Sequence, residues 1–163
     1  MKTLSPYAFT LELSSGKTLD LSNHSNQPLL VVNTATRCGL APQFEGLEEL
    51  HKEFGPQGLL VIGLPSNQFA DQEPETDLNM SQTCKMNFGV TFPLTKKILV
   101  NGPNSNPFFE TLKTLAPGLW GKTSISWNFT KFLVWPHSGK IKRFAPTTSP
   151  KKIRKDLLKM FSL

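Results

Sequence analysis

Alternating apolar and polar positions open the chain. In residues 9–13 and again in residues 19–21, every second side chain is apolar, and the segment Ser14-Ser15-Gly16 separates the two stretches. A period of two on either side of a short polar turn is typical of paired antiparallel strands. The pattern therefore predicts an N-terminal β-hairpin.

Two continuous apolar runs follow, at residues 29–32 and 59–64. Runs of this length are typical of strands that are buried on both faces of a sheet. Between them, apolar residues recur every three or four positions, at Phe44, Leu47, Leu50 and Phe54. This spacing predicts an amphipathic helix that ends at Gly55 or Gly58. The order strand, helix, strand indicates a right-handed βαβ unit with parallel strands.

The second half of the chain predicts further strands and helices. Residues 65–76 read as a loop, and Thr76 or Asp77 caps a helix that runs to about Asn87. Strands are expected near residues 97–100 and 130–134, and the second of these forms a hairpin with residues 140–144.

The C-terminal segment reads as a helix with one apolar face, made of Ile153, Leu157, Met160 and Phe161. We expect it to cover the sheet, although a helix lying on a membrane surface is an alternative. The sequence thus predicts one α/β domain over residues 1–163, with a central sheet and helices on both faces.

Composition narrows the kind of protein. A length of 163 residues suits one domain, and the apolar runs are too short to span a bilayer. No apolar stretch follows Lys2, so we expect a cytosolic protein without a secretory signal. Two cysteines are too few for a secreted disulfide scaffold. No Cys or His cluster has zinc-ligand spacing, so we expect no metal site.

Charge is divided unevenly along the chain. Residues 1–95 carry 5 Lys/Arg and 10 Asp/Glu, whereas residues 96–163 carry 13 Lys/Arg and 2 Asp/Glu. A basic half can attract nucleic acid or an anionic membrane. Because no nucleic-acid-binding motif accompanies the charge, we favour a solvated surface or a positive rim around an anionic nucleophile.

Cys38 is the candidate for redox chemistry. It lies where the first central strand ends and the helix follows, the place where α/β sheets gather their sites. Helix N–H groups and the neighbouring Arg37 would favour the thiolate, which is the reactive form. The alternative is a small buried core residue, and position alone leaves both open. Gln68, Trp127 and Asn128 follow or precede neighbouring strands, and could supply uncharged N–H donors at the same sheet edge.

Five ordered motifs closely resemble the glutathione peroxidase family. They are Val31-Val32-Asn33-Thr34-Ala35-Thr36-Arg37-Cys38-Gly39, Pro65-Ser66-Asn67-Gln68-Phe69, Gln72-Glu73-Pro74, Val100-Asn101-Gly102 and Trp127-Asn128-Phe129-Thr130-Lys131-Phe132-Leu133. The resemblance implies a thioredoxin-like fold and a catalytic group of Cys38, Gln68, Trp127 and Asn128. It also implies reduction of hydrogen peroxide or organic hydroperoxides through a Cys38 sulfenic acid, without a cofactor.

The resemblance also bears on the second thiol and on partners. Cys84 lies one residue away from the commonest position of a resolving cysteine, and a one-residue shift turns a helical side chain by about 100°. The alternative for Cys84 is a core residue, with glutathione or a protein thiol attacking Cys38 directly. Relatives of the cysteine type imply thioredoxin as reductant before glutathione. The short segment between Pro103 and Trp127 favours a monomer or weak dimer.

Other classes fit less well. A peroxiredoxin would carry threonine and proline where this chain has Ala35 and Val31, and a thioredoxin-type oxidoreductase would carry cysteine in place of Ala41. A glutathione-dependent one-cysteine peroxidase stays open. So does a non-catalytic protein of the same fold that senses redox state or binds a partner.

Overall fold

A four-stranded mixed sheet lies at the centre of the computed structural model, which describes residues 4–162. A separate hairpin precedes it, formed by β1 (Thr10–Glu12) and β2 (Thr18–Asp20). The sheet strands are β3 (Leu29–Thr34), β4 (Leu60–Pro65), β5 (Lys131–Val134) and β6 (Ile141–Phe144), in the order β4-β3-β5-β6. β3 is parallel to β4 and antiparallel to β5, and β5 is antiparallel to β6. The predicted hairpin, the βαβ unit and the later strand pair are confirmed.

Four helices flank this sheet: α1 (Gln43–Phe54), α2 (Asp77–Phe88), α3 (Pro107–Leu115) and α4 (Pro150–Phe161). Thr76 caps α2, because its hydroxyl accepts the backbone N–H of Asn79 at 3.2 Å. Gly89 follows α2 with a left-handed backbone, φ 67°, which a glycine adopts without strain. The prediction for α2 is therefore confirmed within one residue at its end.

The core has one layer on each face of the sheet. Successive residues of β3 point to opposite faces, so Leu30 and Val32 pack with α1 and α4, whereas Leu29 and Val31 pack with α3 and the hairpin. All six residues of β3 are buried. The continuous apolar run in the sequence therefore reflects a strand with core on both sides.

α4 covers the sheet, as expected. Ile153 and Leu157 are fully buried, and Phe161 stacks on Phe54 of α1 with ring centroids 5.6 Å apart. The apolar face of α4 is therefore occupied by the core and is not free to lie on a membrane. Among the helices within residues 4–162, none has both the length and the apolar character needed to cross a bilayer.

The predicted strand at residues 97–100 is wrong. Within residues 4–162 this segment forms no strand, and two isolated bridges lie just before it, Leu13 with Thr95 and Gly63 with Leu94. Its backbone N–H groups go to different partners: Ile98 donates to Pro65 of β4 at 2.8 Å, and Lys96 donates to Glu12 of the hairpin at 3.0 Å. A segment that divides its hydrogen bonds in this way builds no continuous ladder.

α3 was not predicted. Asn106 caps it by accepting the backbone N–H of Phe109 at 3.2 Å, and Pro107 occupies its first turn. Phe108, Phe109 and Leu112 are buried on the face of the sheet that the hairpin also covers. An Asn-Pro pair before an apolar spacing of three or four is a recognised helix start, and this signal was present in the sequence.

Candidate active site

Cys38 lies in the connection between β3 and α1, at the carboxyl end of the central strand. α1 begins only at Gln43, so a turn, closed by the bond from the Ala41 N–H to the Cys38 carbonyl, separates the thiol from the helix. The donor that reaches the sulfur is the backbone N–H of Leu40, at 3.3 Å. Cys38 is buried, with 6% of its surface exposed, and belongs to the core layer that also contains Cys84.

The guanidinium of Arg37 does not serve the sulfur as expected from the sequence. It forms an ion pair with Glu75 at 2.5 Å, and its side chain is 64% exposed. The positive charge is thus balanced by a carboxylate and screened by water. Adjacency in sequence was a poor guide here, because successive residues in a turn point in different directions.

Gln68 is placed at the predicted end of the sheet, but its side chain is engaged elsewhere. Its carbonyl oxygen accepts the backbone N–H groups of Val100 at 2.7 Å and Asn101 at 3.1 Å. Its amide donates to the Asn101 carbonyl at 2.9 Å. Gln68 therefore joins the loop after β4 to the loop before α3.

Trp127 and Asn128 precede β5, also at this end of the sheet. The Asn128 amide donates to Gln72 at 3.1 Å, while its buried carbonyl oxygen has no partner within the described residues. The half-buried indole of Trp127 packs against Phe69, with ring centroids 5.8 Å apart.

The three predicted donors therefore lie at the same end of the sheet as the thiol, but they are not hydrogen-bonded to it. Within residues 4–162, no hydrogen bond joins the Cys38 sulfur to Gln68, Trp127 or Asn128. In this conformation the three side chains make contacts among the loops at this end of the sheet: Gln68 with Asn101, Asn128 with Gln72, and Trp127 with Phe69. The expectation that they hold the sulfur directly is not met here.

Asn33 attaches the Trp127–Asn128 segment to the strand that leads to Cys38. Its amide donates to the Trp127 carbonyl at 3.2 Å, and its side-chain oxygen accepts the Thr130 N–H at 3.0 Å. The backbone N–H of Phe129 also donates to the Asn33 carbonyl at 2.7 Å. We call these three bonds the Asn33 clamp. The sequence placed Asn33 within a motif but gave it no role.

A second set of bonds attaches the loop before α2 to the two residues that precede Cys38. The Arg37 N–H donates to the Gln72 carbonyl at 3.0 Å. The Glu73 carboxylate accepts the Thr36 N–H at 3.1 Å and the Thr36 hydroxyl, and Glu75 pairs with Arg37. We call this set the 36–75 latch. Because Gln72 also accepts from Asn128, the latch links the thiol loop to the segment before β5.

Glu73 is unusual because it is a fully buried carboxylate with one oxygen lacking a partner among the described residues. Burial raises the pKa of Glu73, while the hydrogen bonds from Thr36 and the positive charge of Lys97 act in the opposite direction. The structure thus holds this acid near the thiol loop at an electrostatic cost.

Cys84 differs sharply from Cys38. It is fully buried in α2, with its sulfur 3.9 Å from the sulfur of Met80. Burial, together with the charge of Glu73, raises the pKa of Cys84 to about 12. Both cysteines are free thiols. In this conformation Cys84 is therefore an unreactive core thiol.

The fold and the thiol together define a class. A free cysteine at the carboxyl end of the central strand of a mixed sheet, with a backbone N–H on its sulfur, is the arrangement of a thioredoxin-like thiol enzyme. Comparison with known proteins makes the class specific. Residues 6–113 match the family model described as "Glutathione peroxidase", and the chain belongs to the glutathione peroxidase family.

Individual relatives match over nearly the whole chain. The chain is 43% identical to a glutathione peroxidase homolog BsaA of Halalkalibacterium halodurans, covering 94% of this chain and 98% of the relative. It is 40% identical to a hydroperoxy fatty acid reductase gpx1 of Synechocystis, covering 94% of each. Among solved structures, T. cruzi GPX1 superposes with a TM-score of 0.78 at 36% identity, covering 97% of both chains. The predicted thioredoxin-like fold is confirmed, and the protein is a thiol-dependent peroxidase.

Proposed function

We propose that Cys38 is the thiol that attacks the peroxide, and that Gln68, Trp127 and Asn128 supply donors to the reacting oxygens. The observation that carries the first assignment is the contrast between the two cysteines. Cys38 keeps 6% of its surface exposed, whereas Cys84 keeps none, and the Cys38 sulfur accepts a backbone N–H, a contact that a negatively charged sulfur strengthens. Cys84 is sealed in the core, where burial raises its pKa to about 12.

The proposed reaction has three balanced steps. The Cys38 thiolate attacks one peroxide oxygen of ROOH, which breaks the O–O bond and leaves a sulfenic acid and RO⁻, and RO⁻ takes a proton to become ROH. A second thiol then displaces the hydroxyl as water and forms a disulfide. An external dithiol reduces that disulfide by exchange and is itself oxidised. The hydroperoxy fatty acid reductase among the relatives supports organic hydroperoxides as substrates alongside hydrogen peroxide.

The three donors require a rearrangement to act on the sulfur. Gln68 is exposed and can rotate away from Asn101, at the cost of the three hydrogen bonds it makes to residues 100–101. Asn128 must release Gln72, to which its amide donates at 3.1 Å, before that amide can reach the reacting oxygens. Apo geometry is often looser than the geometry of the reacting complex. Substitution of Gln68 by alanine should therefore lower kcat/KM for peroxide, and an unchanged value would remove Gln68 from the site.

Cys84 is the proposed resolving thiol, and α2 must come away for it to act. A disulfide needs Cα atoms within about 7 Å. Only Met80 and Cys84 are buried among the twelve residues of α2, whereas α1 buries five of its twelve. Helices with few buried residues open at low cost. α2 is thus the helix suited to deliver its cysteine.

Mass spectrometry of peroxide-treated protein tests the resolving role. A Cys38–Cys84 crosslink is expected in the wild type and none in the Cys84→Ser variant. If the crosslink is absent and Cys84→Ser turns over fully, an external thiol resolves the sulfenic acid instead.

Thioredoxin is the proposed reductant. Glutathione offers two carboxylates, which guanidinium groups recognise best. All three arginines have other partners: Arg37 pairs with Glu75, Arg154 pairs with Glu53, and Arg143 donates to two backbone carbonyls. An intramolecular disulfide is also a natural substrate for a dithiol protein. A monomer or weak dimer in the cytosol completes the proposal.

The test is NADPH consumption in parallel thioredoxin-coupled and glutathione-coupled peroxide assays. We expect turnover with thioredoxin, and its loss in Cys38→Ser. Cys84→Ser is the matched control, since it also replaces one cysteine by serine. It keeps Cys38, so it should still reduce peroxide in the first step of the reaction. Turnover that survives Cys38→Ser would defeat the assignment.

A further inference from the structure

Lys131 is a buried cation that the reaction steps described above leave unused. It is the first residue of β5, shortly after Asn128, and its side chain is fully buried. Its ammonium donates to three backbone carbonyls, those of Pro146 at 2.9 Å, Ala145 at 3.3 Å and Thr148 at 2.5 Å. An ammonium has three N–H donors, so all of them have partners.

The positive charge of Lys131 has no counter-ion. The ion pairs found within residues 4–162 all join other residues. Burial lowers the pKa of Lys131 to about 7, because the charged ammonium is poorly solvated in the core. A negative charge that forms nearby would relieve this electrostatic cost and would itself be favoured.

Lys131 points to the face of the sheet on which Cys38 lies. Side chains alternate along β5, and Leu133 belongs to the same core layer as Cys38, whereas Phe132 belongs to the opposite layer. In the strand register, Lys131 lies beside Val32, near the end of β3 that leads to the thiol. The ammonium and the sulfur therefore lie on one face of the sheet and at one end of it.

Hydrogen bonds connect the ammonium to the start of the helix that follows the thiol. The side-chain amide of Gln43, the first residue of α1, donates at 2.9 Å to the same Pro146 carbonyl that accepts from Lys131. Just before Gln43, the turn closed by the Ala41 N–H on the Cys38 carbonyl carries the sulfur. Because this layer is built of apolar side chains, a charge acts over a longer distance in it than in water.

Among the described residues, no other charged group around this layer is both buried and positive. The guanidinium of Arg37 is exposed and paired with Glu75. Glu73 is hydrogen-bonded to Thr36 and, when ionised, disfavours a negative sulfur nearby. Cys84 of α2 is a neutral thiol. Of the groups on α1 and α4, Glu48 bonds to Thr91, His51 lies against Phe92, Glu53 pairs with Arg154, Asp156 pairs with Lys142, and Glu45, Glu49 and the lysines of both helices are exposed.

We propose that Lys131 is a positioning residue for the peroxidase reaction and acts through Cys38, because its ammonium favours the thiolate form of that sulfur. The inference rests on the proposed role of Cys38 and adds the source of the positive charge, which adjacency in sequence would assign to Arg37. The same ammonium holds residues 145–148 in front of α4. The test must therefore separate the charge of Lys131 from its hydrogen bonds.

The pH dependence of alkylation by iodoacetamide makes this separation. The protein carries Cys84→Ser, so that Cys38 is the remaining cysteine, and each variant is measured at a temperature where it is fully folded. Lys131→Met removes the charge and keeps an unbranched side chain, whereas Lys131→Arg keeps a positive charge. Lys155→Met is the matched control, since it removes an exposed lysine. Arg37→Met removes the cation that precedes Cys38 in sequence.

Lys131→Met should move the midpoint of the alkylation curve upward by about one pH unit, so that the rate at about pH 6 falls about ten-fold. The value of kcat/KM for hydrogen peroxide at the same pH should fall by a similar factor, because both measurements report the thiolate. Lys131→Arg should restore both quantities, and Lys155→Met should leave both unchanged. Arg37→Met should shift the midpoint less than Lys131→Met does.

A rate that falls equally at every pH, with an unchanged midpoint, would overturn the proposal, because it would show that Lys131 only holds the loop. A midpoint that Arg37→Met shifts more than Lys131→Met would overturn it as well. Failure of the proposed function is a separate result, namely turnover of peroxide that survives Cys38→Ser. The alkylation curves measure the effect of Lys131 on the sulfur without any peroxide, so the two failures are distinguishable.

Discussion

We predict that Asn33 contributes both to the free energy of unfolding and to the turnover of peroxide. The substitution Asn33→Ala tests this prediction. The substitution removes the two side-chain bonds of the Asn33 clamp and leaves the Thr130 N–H without a partner, whereas the Trp127 carbonyl still accepts the Thr130 hydroxyl at 3.1 Å. Asn33 is fully buried, as is Thr130. A buried backbone group that loses its partner costs about 1–3 kcal/mol. Because the Trp127 carbonyl keeps a partner, we expect a total loss of about 1–3 kcal/mol.

Urea denaturation and thermal melting measure this loss. For a chain of this length, each kcal/mol lowers Tm by about 2–4 °C, so Asn33→Ala should melt about 2–12 °C lower. Asn33→Asp separates the two bonds: it keeps the oxygen that accepts from Thr130 but places a second oxygen against the Trp127 carbonyl. Asn104→Ala is the control, because Asn104 is exposed, and it should stay within about 0.5 kcal/mol of the wild type.

Activity decides whether the clamp positions the site. At a temperature where Asn33→Ala is fully folded, turnover of peroxide should fall at least about ten-fold, because the segment carrying Trp127 and Asn128 is released. A stability within 0.5 kcal/mol of the wild type would refute the bonding argument. Lower stability with full activity would refute the link between the clamp and the chemistry.

Three further predictions follow from titratable groups. With iodoacetamide at pH 8, native protein should be alkylated at Cys38 and not at Cys84, whose pKa burial raises to about 12; both should react in urea. Because burial raises the pKa of Glu73, the folded state binds a proton that the unfolded state has released, so the contribution of Glu73 to the free energy of unfolding should fall as pH rises above about 4.5. Glu73→Gln should abolish this fall. Burial lowers the pKa of Lys131 to about 7. Between pH 7 and about 10.5 the unfolded lysine keeps a proton that the folded lysine has lost, so the contribution of Lys131 to the free energy of unfolding should rise with pH. Lys131→Met should remove that rise.

Each of these predictions has a matched control and a result that contradicts it. Glu49→Gln and Lys155→Met change exposed residues of the same type and should keep the wild-type pH dependence. Alkylation of Cys84 at its unfolded rate would show that α2 does not shield it. A Glu73→Gln variant with the wild-type pH profile would show that another acid causes the fall.

The sequence predicted those elements whose side-chain pattern alone decides the structure. β3 and β4 were visible because both of their faces are buried, and α1 because its apolar residues lie on one face. The segment at residues 97–100 failed because a strand depends on its partners, and those lie on two different elements. α3 was not predicted, although the pair Asn106-Pro107 is a helix-start signal in the sequence.

The sequence predicted the location of the site but not the hydrogen bonds that its side chains make. The order of strands and loops fixes that Cys38, Gln68 and Asn128 lie at one end of the sheet. Which acceptor takes the Gln68 amide depends on the path of residues 100–101, which no local pattern specifies. Arg37 likewise finds Glu75, thirty-eight residues away in sequence, because the loop before α2 folds back onto it.

The 36–75 latch holds the N-terminal end of α2, so unwinding of this helix is expected to begin at its C-terminal end. Its bonds tie the chain just ahead of Asp77, the first residue of the helix, while Cys84 lies in the second half of the same helix. If Cys84 is the resolving thiol, uncoiling from Phe88 would break the stacking of Phe88 on Phe44, whose ring centroids lie 5.1 Å apart, and expose the Cys84 sulfur while residues 72–75 stay attached. The loop that carries Cys38 would then keep its bonds to Gln72 and Glu73 while the helix moves, so the two thiols of one chain would differ in mobility during the proposed cycle.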